Sequence, residues 1–332
     1  FNPVPRMNLV EIISSLDTSA EVLEKLENFT RQIGKVPIRV PDSPGFLVNH
    51  AGRGYGPEAL RILSDRIARP ADIDRIMKDL PGFRMGPFEL MDLVGLDVAH
   101  PVMEQIYNQF YQDPLYGPNV LAQTQMMAGR LGRKTGRGWY EYRQGKAVFP
   151  PEKSFPGKSG ASPRVWISPA EPELAENLHD VLAALGAEFD DGPEPHAESV
   201  CLVTPIGADA TQTALEQNLD PARTMAIDML FPVDRRRVLM APPTIDRDKL
   251  NAVAGLLSRG ETPVTLIGDS PGFVAQRILA QIINIACNIA EKGIGKPTEI
   301  DTAVKLGLGY PRGPLEWGDH LGPERVLRIL QS

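Results

Sequence analysis

One block of this sequence occurs twice. Residues 42–95 and 269–322 align without a gap at a constant offset of 227 positions, and 18 of the 54 paired positions are identical. Both copies open with Asp-Ser-Pro-Gly-Phe, and both carry Gly-Pro-x-Glu-x-x-Asp near their ends, at 86–92 and 313–319. Chance does not place so many Gly, Pro and Asp residues in register, so their identical spacing indicates one fold used twice. The chain is therefore predicted to contain a tandem duplication.

Charge and hydropathy argue against two kinds of partner. The 332 residues carry a net charge of −7, whereas binding to phosphate-rich surfaces is driven by Lys and Arg. We therefore expect neither nucleic acid nor an anionic membrane as a partner. The longest apolar stretch, 278–290, contains three amide side chains and is too short to span a bilayer, so it predicts a buried helix.

Cysteine usage indicates a cytoplasmic protein without a metal site. Cys201 and Cys287 lie among apolar residues and show no metal-ligand spacing, so we interpret both as small core residues. No signal-peptide pattern is visible, and a reducing cytoplasm is the expected location. Because the sequence begins with Phe1 rather than Met, we expect it to be part of a longer polypeptide.

The segment before the first copy predicts a strand, a helix and a second strand. The apolar run 4–13 is β-prone and predicts the first strand. Ser19 is a suitable N-cap for an amphipathic helix that continues to about Ile33. The run 36–40 predicts a short strand that is stopped by Pro41.

The segment between the copies predicts alternating strands and helices. Residues 143–164 are rich in Pro, Gly, Ser and Lys and predict a linker. Beyond the linker, strand-like and helical patterns alternate, which is typical of βαβ units on a parallel sheet; the segments are 165–167, 172–185, 200–204, 209–217 and 224–230. No Gly-x-Gly-x-x-Gly turn follows any of these strands, so the segment lacks the usual pyrophosphate-binding loop.

Four motifs carry a resemblance to a known family. They are FNPVPRMNLVEII from Phe1, DSPGFLVN from Asp42, GPFELMDLVG at 86–95 and GRKTGRGWYEY at 132–142. In this order they resemble the NAD-dependent L-3-hydroxyacyl-CoA dehydrogenases, closely over 1–142 and more weakly over 163–332. The resemblance implies a Rossmann domain followed by a helical domain, NAD as the cofactor and an acyl-CoA as the substrate.

The resemblance also implies a fold class and domain boundaries. We predict a mainly α fold, with two helical domains of the 6-phosphogluconate dehydrogenase type flanking a degenerate α/β Rossmann-like remnant. The expected divisions are the tail of an NAD-binding Rossmann domain at 1–41, a first helical domain at 42–142, the linker at 143–164, the remnant at 165–268 and a second, truncated helical domain at 269–332.

Four residues match functional positions of the family. Glu11 matches the acid that pairs with the catalytic histidine, and that histidine and the NAD loop are expected before Phe1. Asn49 matches the asparagine that binds the thioester or hydroxyl side of the substrate. Asn2 matches a residue beside the cofactor, and Lys134 matches a lysine that reaches NAD. In the implied chemistry the imidazole takes the proton of the 3-hydroxyl while hydride leaves C3, and the acid stabilises the imidazolium.

Other charged positions allow more than one interpretation. Arg130, Arg133 and Arg137 either serve phosphates or form a solvated basic turn. Glu89 and Asp92 recur in the second copy, which favours capping or bracing of helices over chemistry.

Three glycines interrupt the helix that is expected after Asn49. Gly52, Gly54 and Gly56 lower helix stability and are followed by Pro57, so we predict a kink or a new helix start near this proline. One hypothesis is that the interruption makes a roomier acyl pocket beside Asn49.

The second copy has lost the matched functional residues. Aligned with the first copy, Asp228 stands in the place of the histidine and Met240 in the place of Glu11. At the fixed offset, Gln276 stands opposite Asn49. An aspartate does not titrate near neutrality as histidine does, and a methionine cannot orient a base. We therefore expect the second copy to have a structural role.

That structural role is predicted to be internal pairing. Single-copy members of the family pair through their helical domains as twofold dimers, and tandem copies can make the same contact inside one chain. Residues 269–332 are then expected to pack against 44–110 as an intrachain pseudo-dimer, and association of whole chains into a homo-oligomer is left open.

The predicted function is oxidation of (3S)-3-hydroxyacyl-CoA to 3-oxoacyl-CoA with NAD, in fatty-acid or aromatic-acid catabolism. Lacking the histidine and the NAD loop, this chain is expected to be inactive by itself. The tandem arrangement resembles bacterial enzymes that act on 3-hydroxybutyryl-CoA or 3-hydroxyadipyl-CoA. One alternative is a non-catalytic dimerisation or scaffold module, against which Glu11, Asn49 and Lys134 argue together. Another is a different β-hydroxyacid dehydrogenase, which the first two motifs disfavour.

Overall fold

The chain divides into two compact units. The computed structural model describes Pro5, residues 7–155 and residues 162–332, so Asn2 lies outside the described residues. The first unit contains the described residues as far as Arg61, with Gly82–Val148 and Ile278–Val326. The second contains Ile62–Pro81, the described residues of Phe149–Arg277, and Leu327–Ser332. Each unit therefore draws residues from both copies of the repeat.

The segment before the first copy contains two parallel strands joined by a helix, as predicted. These elements are β1 (Leu9–Ser14), α1 (Ala20–Gln32) and β2 (Val36–Pro41). The Ser19 hydroxyl caps α1 by accepting a hydrogen bond from a first-turn amide at 3.4 Å. Because the strands are parallel, their carboxyl ends lie side by side, with Ser14 opposite Pro41. The first Asp-Ser-Pro-Gly-Phe motif follows directly.

The first copy and the residues behind it are mostly helical. Helices α2–α7 are Val48–Ala51, Gly56–Ser64, Pro70–Asp79, Pro87–Val94, Leu96–Gln109 and Val120–Met127. There are 3₁₀ turns at Gly52–Gly54, Pro114–Tyr116 and Arg133–Thr135. A hairpin follows, formed by β3 (Glu141–Arg143) and β4 (Lys146–Val148). The predicted interruption after Asn49 is confirmed, since α2 ends at Ala51 and α3 begins at Gly56.

A six-stranded mixed sheet follows. Its strands β5–β10 are Arg164–Ile167, Glu188–Phe189, Val200–Val203, Thr224–Ile227, Arg237–Ala241 and Val264–Gly268, and the helices between them, α8–α10, are Pro172–Ala184, Ala210–Glu216 and Arg247–Leu257. The strand order is β10-β9-β8-β7-β5-β6, and all neighbours are parallel except β8 and β9. The five elements predicted between 165 and 230 are all present.

The predicted fold class is wrong. A mainly α fold with a degenerate remnant is expected from the sequence, but the described chain is an α/β protein with a well-formed sheet. Every residue of β7 and β8 is buried, and so are Val238, Leu239 and Met240 of β9. A sheet of this kind is stabilised by burial of apolar strand residues. The missing glycine turn removes a phosphate-binding loop and leaves that burial unchanged.

The second copy forms four helices, α11 (Val274–Glu291), α12 (Pro297–Leu308), α13 (Pro314–Leu321) and α14 (Pro323–Gln331). The starts of α12 and α13 lie 227 positions after those of α4 and α5, at equivalent prolines, and Pro at the first helical position favours a helix start. The 18-residue helix α11 has no interruption, because Leu279, Gln281 and Ile283 replace the three glycines. Neither α11 nor another helix in the described ranges is long and apolar enough to cross a membrane.

The two copies contact each other within the first unit. Gly54 approaches α11 so closely that a Cβ atom there would lie 2.6 Å from Ile282 Cα. Tyr116 Oη also donates a hydrogen bond to Asn288 Oδ1 at 3.2 Å. A residue with a Cβ atom would overlap the α11 backbone at this position, so only glycine fits. The interruption in the first copy therefore makes room for a helix of the second copy.

Candidate active site

A cavity of about 630 Å³ lies beside the start of the first copy. One wall is formed by Asp42–Phe46 and Asn49, and the other by α6 residues between Val102 and Gln109 together with Tyr111. Asp42 follows β2 directly, and its amide donates a hydrogen bond to Ser14 O at 3.0 Å. Open α/β sheets bind ligands outside the carboxyl ends of their strands. The cavity occupies this position for β1 and β2.

The Pro-Gly turn of the motif shapes the cavity wall. Gly45 has φ +73°, and a Cβ atom there would lie 2.8 Å from Ile106 Cδ1 and 2.9 Å from His50 N. Its counterpart Gly272 also has φ +73°. A left-handed glycine is therefore required by the turn in both copies, which supports the architectural interpretation of these glycines.

Glu11 connects β1 to the start of α2. Its Oε1 atom accepts hydrogen bonds from Leu47 N at 2.9 Å and from Val48 N at 3.0 Å. Burial raises the pKa of Glu11, and the two amides act in the opposite direction without cancelling the effect. Since Oε1 holds both amides, Oε2 is the oxygen that can orient a second group. The structure therefore brings Glu11 and Asn49 to the same helix start.

Asn49 is exposed and lines the cavity. It lies on α2, one residue after Val48, whose amide is held by Glu11. An amide side chain can donate a hydrogen bond to a carbonyl oxygen without titrating. Asn49 is thus placed to contact a polar group of a bound molecule.

In the second copy, Gln276 stands at the position equivalent to Asn49, next to the six-stranded sheet. Gln276 Nε2 donates a hydrogen bond to Asp228 Oδ1 at 3.0 Å, and Gln276 Oε1 accepts one from Gly207 N at 3.1 Å. In the sequence alignment, Gln276 replaces Asn49 and Asp228 replaces the family's histidine. These two positions are therefore hydrogen-bonded in the second copy.

Asp228 itself is buried, and burial raises its pKa to about 6. Its Oδ2 atom is inaccessible to water and has no hydrogen-bond partner among the described residues. Burial therefore lets this carboxyl keep its proton to a higher pH than an exposed carboxyl does.

Lys134 pairs with an acid and is not a lining residue of the cavity. Its Nζ atom forms an ion pair with Asp97 Oδ1 at 2.5 Å, and this pair lowers the pKa of Asp97. The side chain is partly exposed, and Lys134 is not among the residues that line the cavity. The structure therefore does not bring Lys134 together with Glu11 and Asn49.

Asp92 braces the Gly-rich segment behind the first copy. Its carboxylate accepts hydrogen bonds from Trp139 N at 2.9 Å, Tyr140 N at 3.0 Å and Tyr142 Oη at 3.1 Å. Glu89 Oε2 accepts a hydrogen bond from the Gly86 amide at 3.1 Å and caps α5. The predicted helix cap is confirmed for Glu89, whereas Asp92 braces the non-helical segment 139–142 rather than a helix.

His50 is the titratable residue closest in sequence to Asn49, yet it is not a candidate base. The ring is buried, and its Nε2 atom lies 2.8 Å from Tyr116 Oη. Burial, followed by the charges of Lys292 and Arg53, lowers the pKa of His50 to about 3. The ring is therefore neutral at physiological pH, and it belongs to a hydrogen-bonded chain that continues through Tyr116 to Asn288.

Arg53 is a residue that the sequence patterns do not single out. Its Nε atom donates a hydrogen bond to Asn49 O at 2.9 Å, while its Nη1 atom is inaccessible to water and has no hydrogen-bond partner in the part of the chain that the structure describes. Burial lowers the pKa of Arg53 to about 10. The sequence signal that could have found it is a lone arginine one helical turn after Asn49, inside the glycine-rich interruption.

Two family models match the sequence. Residues 45–142 and 272–332 each match the 3-hydroxyacyl-CoA dehydrogenase C-terminal domain, and residues 1–43 match the NAD binding domain of the same dehydrogenases. The two C-terminal matches begin 227 positions apart, which is the offset of the repeat. The predicted duplication is therefore confirmed, and so is NAD as the expected cofactor.

Related proteins match either the whole chain or its first part. The 3-hydroxyadipyl-CoA dehydrogenase of Escherichia coli K12 is 34% identical over 337 residues, covering 100% of this chain and 64% of that protein. The mitochondrial hydroxyacyl-coenzyme A dehydrogenase of Sus scrofa is 40% identical over 143 residues, covering 43% of this chain and 46% of that protein. The chain thus spans less than two thirds of the length of either relative.

A solved structure matches the whole chain. The crystal structure of 3-hydroxybutyryl-CoA dehydrogenase from Escherichia coli K12 superposes with a TM-score of 0.79 at 32% identity, covering 100% of this chain and 64% of that one. The likeness includes the six-stranded sheet as well as the two helical copies. It is a second reason to reject a degenerate remnant.

Proposed function

The chain belongs to the 3-hydroxyacyl-CoA dehydrogenase family, and from that premise we propose that the protein oxidises (3S)-3-hydroxyacyl-CoA to 3-oxoacyl-CoA with NAD. The observation that carries the proposal is the pairing of Glu11 and Asn49 at one helix start, beside a cavity at the carboxyl ends of parallel strands. A non-catalytic scaffold does not require an exposed amide and a partly buried acid at this place.

Asn49 is proposed to bind the substrate oxygen. Its amide donates to the oxygen at C3 or to the thioester carbonyl and so fixes the acyl group in the cavity. The second copy supports this assignment, because Gln276 contacts the residue in the place of the family's histidine at 3.0 Å. We expect the same arrangement in the first copy, with the Asn49 amide beside the proton acceptor.

Glu11 is proposed to orient the histidine that accepts the hydroxyl proton. One carboxylate oxygen is held by two amides, so the other can bind an imidazole N–H and stabilise the imidazolium. Bound NAD supplies the hydride acceptor, and the end of β1 and β2 is where an α/β sheet places such a ligand. Asn2 and Lys134 remain proposed cofactor contacts, and for Lys134 this requires exchange of its Asp97 partner.

The second copy is proposed to act as the built-in partner of the first. The contact of Gly54 with the Ile282 backbone and the hydrogen bond from Tyr116 to Asn288 support an intrachain pseudo-dimer. Association of whole chains and the cytoplasmic location stay predictions.

The experiment that tests the proposed function compares three proteins in the reduction of acetoacetyl-CoA by NADH. The natural protein, with any residues that precede Phe1, is compared with Asn49→Leu and Glu11→Gln. We expect both variants to lower kcat about 100-fold, the range typical for loss of a positioned polar group at a reacting centre.

Glu11→Gln also separates catalysis from folding. A glutamine oxygen can still accept the Leu47 and Val48 amides, so we expect stability to change by less than about 0.5 kcal/mol. A loss of stability that parallels the loss of activity would assign Glu11 to capping alone. Absence of NADH oxidation by the natural protein with any 3-oxoacyl-CoA would refute the proposed function.

A further inference from the structure

Carboxamide side chains line the α6 wall of the cavity, opposite Asn49. Gln105, Asn108 and Gln109 lie on α6, and all three are lining residues. Residues three and four apart share one face of a helix, so these three amides belong to the same face. Like Asn49, they are exposed. A molecule that enters the cavity can therefore reach all four side chains.

The α6 amides are not used by the part of the chain that the structure describes. Within it, Gln105, Asn108 and Gln109 form no side-chain hydrogen bond. Asn49 accepts the Arg53 hydrogen bond with its main-chain oxygen, which leaves its side-chain amide for a ligand. Each carboxamide offers two N–H donors and an accepting oxygen. The wall can therefore bind both the N–H and the C=O of an amide group in another molecule.

The charge of the cavity disfavours phosphate groups. Its lining residues, all of them described, include no lysine, arginine or histidine, and the carboxylate among them is that of Asp42. Phosphates are bound by cationic side chains or by free N–H groups at a helix start. At the start of α2, the amides of Leu47 and Val48 already bind Glu11. We therefore do not expect the phosphates of NAD or of CoA at this wall.

A plain hydrocarbon chain suits the wall no better. Methylene groups that cover an amide remove it from water without a new hydrogen bond, which is unfavourable. The wall is nevertheless partly apolar, since Val102 and Ile106 line the cavity from the same helix. A ligand that matches this composition contains both methylene and amide groups.

We propose that the α6 amides bind the pantetheine arm of the acyl-CoA whose acyl group is held by Asn49. This inference rests on the proposed function and deepens it, because it assigns the part of the substrate that the α6 wall receives. The pantetheine arm joins the thioester sulfur to the phosphates through short methylene segments and two amide groups. It begins at the thioester carbonyl, next to the group that Asn49 binds, so its amides lie within the same cavity.

Reduction of acetoacetyl-CoA and of acetoacetyl-pantetheine by NADH tests the proposal in the natural protein, with any residues that precede Phe1. The two thioesters share the arm and differ in the phosphates and the adenosine. A variant with Gln105→Ala, Asn108→Ala and Gln109→Ala loses the proposed contacts to both amide groups of the arm. Each neutral hydrogen bond contributes about 2- to 12-fold, so KM should rise about 4- to 140-fold for both thioesters.

The turnover number and the fold should stay nearly unchanged in this triple variant. The lost contacts bind substrate and transition state equally, so kcat should change less than about 2-fold. The three positions are exposed on a helix, and alanine is the better helix former, so the melting temperature should not fall. Gln123→Ala is the matched control, because Gln123 is an exposed glutamine of α7 outside the cavity lining. It should leave KM for both thioesters unchanged.

Several results would overturn the proposal and leave the proposed function standing. One is unchanged KM for both thioesters in the triple variant. Another is a rise in KM for acetoacetyl-CoA or NADH alone, or no turnover of acetoacetyl-pantetheine by the natural protein, because the wall would then serve phosphates or the cofactor. A larger rise with 3-oxohexanoyl-pantetheine than with acetoacetyl-pantetheine would place the acyl chain at the wall. Failure of the natural protein to oxidise NADH with any 3-oxoacyl-CoA would instead refute the proposed function.

Discussion

Replacement of Gly54 by Ala tests the close contact between the two copies. A Cβ atom at this position would lie 2.6 Å from Ile282 Cα and 2.7 Å from Ile282 N. Ordinary van der Waals contact begins at 3.4 Å, so α11 would have to move by about 0.8 Å. Both atoms belong to the helix backbone, and a rotamer change cannot relieve the overlap.

The expected loss of stability follows from two opposing effects. Overpacking of a close contact costs about 1–3 kcal/mol, whereas Ala in place of Gly in a helical segment gains at most about 1 kcal/mol. Because the backbone of α11 has to move rather than a side chain, we expect the cost of overpacking to lie at the upper end of this range. We expect Gly54→Ala to destabilise the first unit by about 2 kcal/mol, which lowers Tm by about 4–8 °C.

The neighbouring glycines are matched controls. A Cβ atom at Gly56 would meet Met103 Cε at 3.6 Å, and one at Gly52 would meet Leu308 Cδ1 at 3.4 Å. Both are ordinary contacts with flexible side-chain atoms, so the two Gly→Ala changes should be neutral or should stabilise by up to about 1 kcal/mol. The assay is differential scanning calorimetry with urea denaturation at pH 7. Equal stability of Gly54→Ala and the unaltered chain, or an equal loss in all three variants, would refute the contact.

Two further predictions concern buried carboxyl groups. Because burial raises the pKa of Asp228 to about 6, the folded state binds this proton more tightly than the unfolded state, and stability should fall by up to about 3 kcal/mol between pH 4 and 7. Asp228→Asn should remove this slope in urea denaturation, and an unchanged slope would contradict the assignment. In Asp92→Asn the side-chain NH₂ group would face the hydrogen-bond donors of residues 139, 140 and 142. We expect this change to lower the free energy of unfolding by about 2 kcal/mol. Asp319→Asn, at the exposed equivalent position, should change the melting temperature little.

The helix starts of the two copies were predictable from the sequence because local chemistry determines them. The prolines at 70 and 87, and their counterparts at 297 and 314, begin four helices, since proline fixes its own φ and lacks the N–H that a first helical residue would leave unpaired. The strands between 165 and 230 were likewise visible as short β-branched runs.

The integrity of the sheet was not predictable from the missing glycine turn. The glycine turn binds a ligand, whereas the stability of the sheet depends on burial of residues such as Val203, Ile227 and Leu239. Loss of the glycine turn therefore does not imply loss of the sheet. The fold-class prediction failed because it treated them as one.

Long-range contacts at the candidate site were also beyond the sequence. The motif identified Glu11 and Asn49, but only the structure shows that the acid binds the amides in front of the asparagine. The role of Gly54 depends on a helix more than 200 residues away in sequence, and the absence of an acidic partner of Arg53 among the described residues depends on its surroundings. Neither leaves a local pattern.

Transfer of deuterium from C3 of the substrate to NAD tests the proposed chemistry most directly. The natural protein is given (3S)-3-hydroxyacyl-CoA deuterated at C3, as six-carbon chains with and without a terminal carboxylate, and the NADH formed is analysed by mass spectrometry. The proposed function predicts one deuterium atom in each NADH and a 3-oxoacyl-CoA product in equal amount. Formation of NADH without deuterium, or no NADH from either chain, would contradict it.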